Sequence, residues 1–279
     1  MVVQKPNDIQ YQKYQDFVES QLGIDWSKGK QYLLHGRLNS RLYELGLDYD
    51  EYFQVLQDSK NKGELQYFYN LVTTTKTEFY RDSALFDWFR ENVIPEYFHQ
   101  INTGKREKIR IWSVGCSTGE EAYTLAFETD QLAQLLSRTP EGFKILASDV
   151  NTDVLFYAIQ GVYDENQLQT IPRPVQGKHF RYIKNDNKNR QLQVREHIKQ
   201  RIEFRILNLL DSRYPIATKF EVIFCRNVLY YFNNETRVMI LNKLVEFLAR
   251  DGYLIFGGTE TGHQVEGATK IRHNVFKKK

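Results

Sequence analysis

A chain of 279 residues is long enough for one large core and a small accessory domain. Hydrophobic residues at 41% and charged residues at 26% place it among ordinary globular proteins, and a net charge of +3, dispersed along the chain, supplies no basic stripe for nucleic acid. No apolar run is long enough for a signal peptide or a membrane span, Cys116 and Cys225 make no disulfide framework, and the six histidines show no metal-ligand spacing. The expectation is a cytoplasmic protein with no metal, no nucleic-acid partner and no inserted segment.

The chain opens helical. Ile9, Tyr14, Phe17, Val18 and Leu22 recur at helical spacing and stop at Gly23. A second helix over 28–45 aligns Leu34, Leu38, Leu42 and Leu45 on one face before Gly46. Tyr49, Tyr52, Phe53 and Leu56 mark a third helix, and Leu65, Phe68, Tyr69 and Val72 a fourth. These amphipathic pieces predict a helical domain over 1–75. Residues 76–107 read as a linker with a connecting helix (Leu85, Phe86, Phe89, Val93), capped by Asp82 or Ser83 and ended by Pro95.

From 108 onward the pattern alternates. Strands over 108–114, 143–148, 202–207, 220–225 and 253–256 are interleaved with helices over 119–137, 152–160 and 235–248, and 270–276 reads as a last edge strand. The 220–225 run is apolar on both faces, as a covered central parallel strand requires. The alternation predicts an α/β fold with a doubly wound, Rossmann-like sheet over 108–279. Residues 172–200 break the alternation with two short strand-like pieces, 180–183 and 191–194, and read as a small antiparallel insert. Lys277, Lys278 and Lys279 read as a frayed tail.

Three elements suggest a ligand. The segment from Ile109 to Glu121 is a strand, a turn containing Gly115 and Gly119, and a helix start. Glycine lets the backbone turn tightly and lets a ligand approach without an intervening Cβ. The third glycine of a dinucleotide fingerprint is missing, and Glu120 and Glu121 at the helix start are poor company for a pyrophosphate. The same acids suit a ligand without phosphate that carries a cationic sulfonium. Asp149, ending the next strand, is placed to accept two ribose hydroxyls. Asn208 and Leu209, beyond a later strand, are placed for a base edge and a base face. Each has a bland alternative: a plain strand-to-helix turn, a helix-capping Asp, a loop amide. Their order at successive strand ends favours the ligand reading.

With these elements, two longer strings resemble the CheR family of chemotaxis receptor methyltransferases. They are Thr77-Glu78-Phe79-Tyr80-Arg81-Asp82 and Phe224-Cys225-Arg226-Asn227-Val228-Leu229-Tyr230-Tyr231-Phe232. Trp112-Ser113, the run from Cys116 to Glu121, and Gly161-Val162-Tyr163 are similar to the family as well. The resemblance implies a helical N-terminal domain, a class I methyltransferase domain with a small β insert, and S-adenosylmethionine as cofactor, leaving as S-adenosylhomocysteine. It implies cofactor contacts at Thr75, Thr77, Arg81, Gly115, Glu120, Glu121, Asp149, Asn208, Leu209, Arg226 and Asn227, with Arg81 and Tyr231 bordering the methyl-transfer site. Position 75, a Thr here, is Asn in many members. The substrate implied is a glutamate on the cytoplasmic helices of a membrane chemoreceptor. Tethering members carry a Gly-x-Gly-Pro turn in the insert, whereas this chain has Asn185-Asp186-Asn187-Lys188-Asn189-Arg190, so no tether to the receptor's C-terminal peptide is expected.

Methylating a glutamate needs no general base, because a free Glu side chain of pKa about 4.3 is already ionised at neutral pH. Alignment is the requirement, and Arg81 suits it, since a guanidinium grips a carboxylate in bidentate fashion. Lys30, Arg37 and Arg41 lie close together around the second helix and form a candidate docking face for an acidic receptor helix. Two other readings compete. One is a catalytically silent scaffold of the same fold; the other is a methyltransferase for nucleic acid or a small molecule.

Overall fold

The computed structural model describes residues 4–26, 31–136, 142–183, 190–258, 260 and 264–279. Four helices come first: α1 (Asp8–Leu22), α2 (Gln31–Leu45), α3 (Tyr49–Gln57) and α4 (Lys62–Val72). Asn7 and Asp48 cap α1 and α3 with complete capping boxes, and Gly23 closes α1 in the left-handed conformation. Most of the expected apolar positions pack into one cluster around Tyr14, Val18, Leu34, Leu38, Leu42, Tyr52 and Phe68, whereas Ile9 and Leu45, at the ends of their helices, are exposed.

The connecting segment differs from expectation. Pro95 does not end its helix. The helix α5 (Ser83–Trp88) runs through a π-helical turn, Phe89–Val93, into α6 (Ile94–Asn102), and Pro95 sits directly after that turn, where the regular hydrogen-bond ladder is already interrupted.

The remainder alternates as predicted: β1 (Ile109–Val114), α7 (Glu120–Leu136), β2 (Phe143–Asp149), α8 (Thr152–Gln160), β3 (Val162–Asp164), α9 (Arg173–His179), β4 (Phe180–Ile183), β5 (Gln191–Val194), α10 (Glu196–Lys199), β6 (Ile202–Ile206), β7 (Phe220–Cys225), α11 (Asn234–Phe247), β8 (Leu248–Phe256), β9 (Ala268–Arg272) and β10 (Val275–Lys278). A seven-stranded sheet runs in the order β6-β2-β1-β7-β8-β10-β9. Its first five strands are parallel, and β10 is antiparallel to both its neighbours. Both faces are covered. Ile111, Val222 and Phe224 enter the core beneath α7, while Trp112, Ile223 and Cys225 enter the one beneath α11.

Two boundaries shift. The expected single edge strand over 270–276 is a hairpin turning at Asn274 (φ 62°), and Lys277 and Lys278 belong to β10 instead of a frayed tail. The insert begins ten residues before 172, because its sheet has the order β3-β5-β4 and takes β3 from the segment after α8. The turn over 185–190 lies, except for Arg190, outside the described residues.

Candidate active site

In an open parallel sheet a crevice forms at the carboxyl ends of strands whose connections leave in opposite directions. Here β1 lies between β2 and β7, and the turns after all three strands line one deep cleft. The helical domain roofs it with Leu22, Ile24, Trp26 and Leu33.

Backbone and side-chain hydrogen bonds sew the two domains together along the cleft rim. Asp25 N donates to Tyr231 O at 2.7 Å, and Ile24 bridges Phe232. On the other side, Gln66 Nε2 donates to Val150 O at 2.9 Å and Asn70 Nδ2 to Thr152 Oγ1 at 2.8 Å. Asn151 Nδ2 reaches Thr73 Oγ1 at 2.8 Å.

Of the expected residues, Thr77, Arg81, Gly115, Glu121, Asp149, Asn208, Leu209, Arg226, Asn227 and Tyr231 all line this cleft. The turn after β1 is shaped by Gly115, whose φ is +66° and whose missing Cβ would collide with Val228 Cγ2. Gly115→Ala combines a left-handed penalty of about 1–2 kcal/mol with overpacking of about 1–3 kcal/mol. It is expected to lower the thermal midpoint by about 5–10 °C, read by calorimetry. Asp149 grips the same turn, its Oδ2 accepting from Ser117 N at 2.8 Å and its Oδ1 from Asn151 N at 3.0 Å. Burial pushes its carboxyl above the ordinary aspartate value, and these amide bonds oppose the rise.

Arg81 is aimed by its neighbours. Phe79 is fully buried, edge-on to Tyr163 at 4.9 Å, and Tyr80 donates to Glu128 Oε1 at 2.7 Å. Tyr163 in turn donates to Thr118 O at 2.6 Å, joining the insert to the glycine turn. With both aromatics anchored, the Arg81 side chain is left to face the cleft, one Nη donating to Lys76 O at 3.2 Å.

Arg226 is a buried clamp. It pairs with Glu121 at 3.0 Å and Asp82 at 2.9 Å, donates to Arg81 O, and lies over the Phe86 ring. Glu121 also accepts from Ser113 Oγ at 2.7 Å. Burial raises the Glu121 carboxyl above its ordinary value, and Arg226 pulls it back.

The loop after β7 is held by a residue that the sequence reading passed over. The Glu260 carboxylate accepts four backbone N–H groups, from Asn227, Val228, Leu229 and Gly257, at 2.7 to 3.0 Å. That nest fixes Asn227, which has φ 59°, and the following 3₁₀ turn Leu229–Tyr231. The Tyr230 hydroxyl donates to the Tyr231 hydroxyl oxygen at 2.7 Å. Tyr80, Asp82, Ser117 and Asn227 are four of six non-glycine residues with left-handed φ among those described, and all four adjoin or line the cleft. Such strain persists only where its surroundings over-determine it.

Some expectations are redirected. Thr75 is exposed, and its carbonyl, not its side chain, engages the site by accepting from Ser117 Oγ at 2.8 Å. Glu120 is buried behind the cleft and accepts from Thr118 Oγ1 at 2.7 Å. The Asn208 amide is already spent, donating to Gln21 O at 2.8 Å while its oxygen accepts from Leu210 N. Arg37 and Arg41, expected on one docking face, are turned to different partners. Arg41 is paired to Glu64 and Glu44 and lies over the Tyr67 ring. Arg37 turns into the cleft, donating to Val72 O and to Thr74 Oγ1 at 3.2 Å. Lys30 lies outside the described residues.

The family model described as CheR methyltransferase, SAM binding domain, matches residues 75–275, and the one described as CheR methyltransferase, all-alpha domain, matches residues 9–73. The chain belongs to the CheR methyltransferase family. It is 35% identical over 247 residues to a chemotaxis protein methyltransferase of Borreliella burgdorferi, covering 88% of this chain and 85% of that one. It is 31% identical over 270 residues to the chemotaxis protein methyltransferase of Escherichia coli, covering 95% and 89%. Against chemotaxis protein methyltransferase 2 of Pseudomonas aeruginosa the identity is 34% over 239 residues, covering 85% and 81%. S-adenosylmethionine is accordingly the cofactor, and this CheR-family chain is a methyltransferase.

Proposed function

We propose that this protein transfers the methyl group of S-adenosylmethionine to glutamate side chains on the cytoplasmic helices of chemoreceptors, giving methyl esters. The observation that carries the reading is that Arg81 and Tyr231 line one cleft together with Asp149 and the Gly115 turn. The residues fit the cofactor. Asp149 is an acid at the end of β2, Gly115 lets the turn after β1 close against Val228, and Leu209, Val228 and Trp26 offer apolar walls for a base. When bound, the cofactor supplies an electrophilic methyl on a sulfonium, beside which Glu121 is a suitable acid, while Asp149 accepts the ribose hydroxyls. Thr77 and Asn227 complete the cradle, and Arg226 holds Glu121 in place.

The glutamate enters already ionised, so the chain's own task is to orient it and exclude water. Arg81 holds the carboxylate, Tyr231 lines the methyl path, and the roof of Leu22, Ile24 and Trp26 keeps solvent out. Arg37 and Lys76 add two cations to the cleft. The receptor glutamate is therefore drawn to this opening rather than to an outer face of α2.

The test uses methyl-labelled cofactor with receptor-containing membranes. Label released by alkali reports an ester on a carboxylate; alkali-stable label on protein or label on nucleic acid would remove the substrate assignment. Tyr231→Phe and Arg81→Ala are each expected to lower the single-turnover rate about a hundredfold while the fold persists. Near-normal rates in both would displace the reaction from this end of the cleft.

A further inference from the structure

On the far side of α7 from the cleft's Glu121, three side chains that methyl transfer does not use come together. Asp130 on α7, His179 at the end of α9 and His197 on α10 each offer one ligand atom, and these atoms all lie within 4.8 Å of one another. His179 is fully buried, stacked on the Phe127 ring at 4.9 Å and 5.8 Å from the His197 ring. Among the described residues neither of its ring nitrogens has a hydrogen-bond partner. A buried polar group left this way forgoes roughly 1–3 kcal/mol, and so calls for an occupant or a reason. Its Nε2 points toward Asp130 Oδ2 at 3.9 Å, too far for a hydrogen bond. Asp130 is buried as well, its Oδ2 accepting from Gln134 Nε2 at 2.8 Å and pairing with Lys178 Nζ at 3.3 Å. Lys178 is one-third exposed and free to swing to solvent, and His197 is exposed and free to turn inward.

We infer that Asp130, His179 and His197 form a binding site for a divalent transition-metal ion of the zinc class, which staples the β insert to α7. The donor set, two imidazoles and one carboxylate, suits zinc or cobalt and not magnesium or calcium, which require oxygen shells. Zinc holds nitrogen at about 2.0–2.1 Å, so tetrahedral ligand atoms stand about 3.4 Å apart. The triad reaches that spacing by rotation of His197 and departure of Lys178. The ion's role is structural. α9 and α10 bracket β4 and β5, and Asp130 lies nine residues beyond Glu121, about 14 Å along α7. A bound ion therefore fixes the insert against the helix whose start enters the cleft. These ligands lie 67 positions apart from first to last, so no spacing pattern announces them.

The test titrates cobalt(II), then competing zinc, into the full chain carrying no affinity tag. One cobalt per chain with the visible absorption of a tetrahedral nitrogen–oxygen site is expected, bleached by one equivalent of zinc. His197→Ala and Asp130→Asn should each weaken cobalt binding at least tenfold and abolish that absorption. Zinc should raise the thermal midpoint of the wild type by several degrees and leave that of His197→Ala unmoved. His197 is exposed, so its variant keeps the fold even if the Asp130 variant does not. Absent absorption in the wild type, or the same absorption and affinity in His197→Ala, would overturn the site. None of these readouts depends on methyl transfer.

Discussion

Asp149→Ala is expected to weaken binding of S-adenosylmethionine and of its homocysteine product at least tenfold, measured by titration calorimetry. A carboxylate accepting two hydroxyls contributes about 1.5–3 kcal/mol per charged hydrogen bond, and one such bond already exceeds a tenfold change. Removing the carboxylate also releases Ser117 N and Asn151 N, so the glycine turn loses its anchor together with the ribose contact. Asp149→Asn separates these effects, because its oxygen keeps one amide bond while the charge is gone. Burial raises the Asp149 carboxyl, so affinity is expected to begin falling, as pH drops, at a higher pH than a free aspartate would dictate. Unchanged affinity in a folded Asp149→Ala chain would remove this residue from the cofactor site.

Arg226→Leu should be the most destabilising of the cleft substitutions, by about 3–5 kcal/mol in denaturant unfolding. The Arg226 side chain is 2% exposed, and its loss leaves Glu121, among the described residues, with Ser113 as its remaining partner. The pH dependence follows from the sign of the Glu121 shift. Its carboxyl is raised in the folded chain, so its contribution to stability is greatest at low pH and is lost as pH rises through the folded value. Arg226 lowers that value, and without it the carboxyl moves further up. The penalty of Arg226→Leu should therefore shrink between pH 8 and pH 5, as a protonated Glu121 no longer needs a cation. A penalty that stays constant or grows on acidification would show that Glu121 is not the group left unpaired.

What the sequence made legible was whatever repeats locally or sits in one string. Leu34, Leu38 and Leu42 announce a buried helix face by their spacing, and β7 announces a central strand by being apolar on both sides. The strings around Arg81 and Arg226 are readable because Phe79, Tyr80, Asn227 and Tyr231 each hold a place that the turn geometry dictates. Glu260 was not legible. It acts on backbone amides some thirty residues away, and a carboxylate that binds N–H groups leaves no mark on the side chains it serves. Arg37 and Arg41 share a helix face by angle, but periodicity is blind to the partners brought by α4 and the Thr73–Thr74 turn. Asn208 has the right place for a base edge, yet α1 claims its amide through Gln21. Pro95 and β3 were misread for a related reason: a π turn and a three-residue strand are defined by hydrogen bonds to neighbours, not by composition.

The seam between the helical domain and the sheet has a kinetic meaning. Its ties run down both flanks of the cleft, through Asp25 and Tyr231 on one side and Gln66, Asn70 and Val150 on the other. Each is worth only about 0.5–1.5 kcal/mol net, so one flank can part for a few kcal/mol while the other holds as a hinge. A molecule held beneath Leu22, Ile24 and Trp26 gains room to enter or leave when such a parting occurs. Loading and unloading are thus eased by a partial separation of the domains, and a change in the seam is felt in ligand exchange before it is felt in the chemistry.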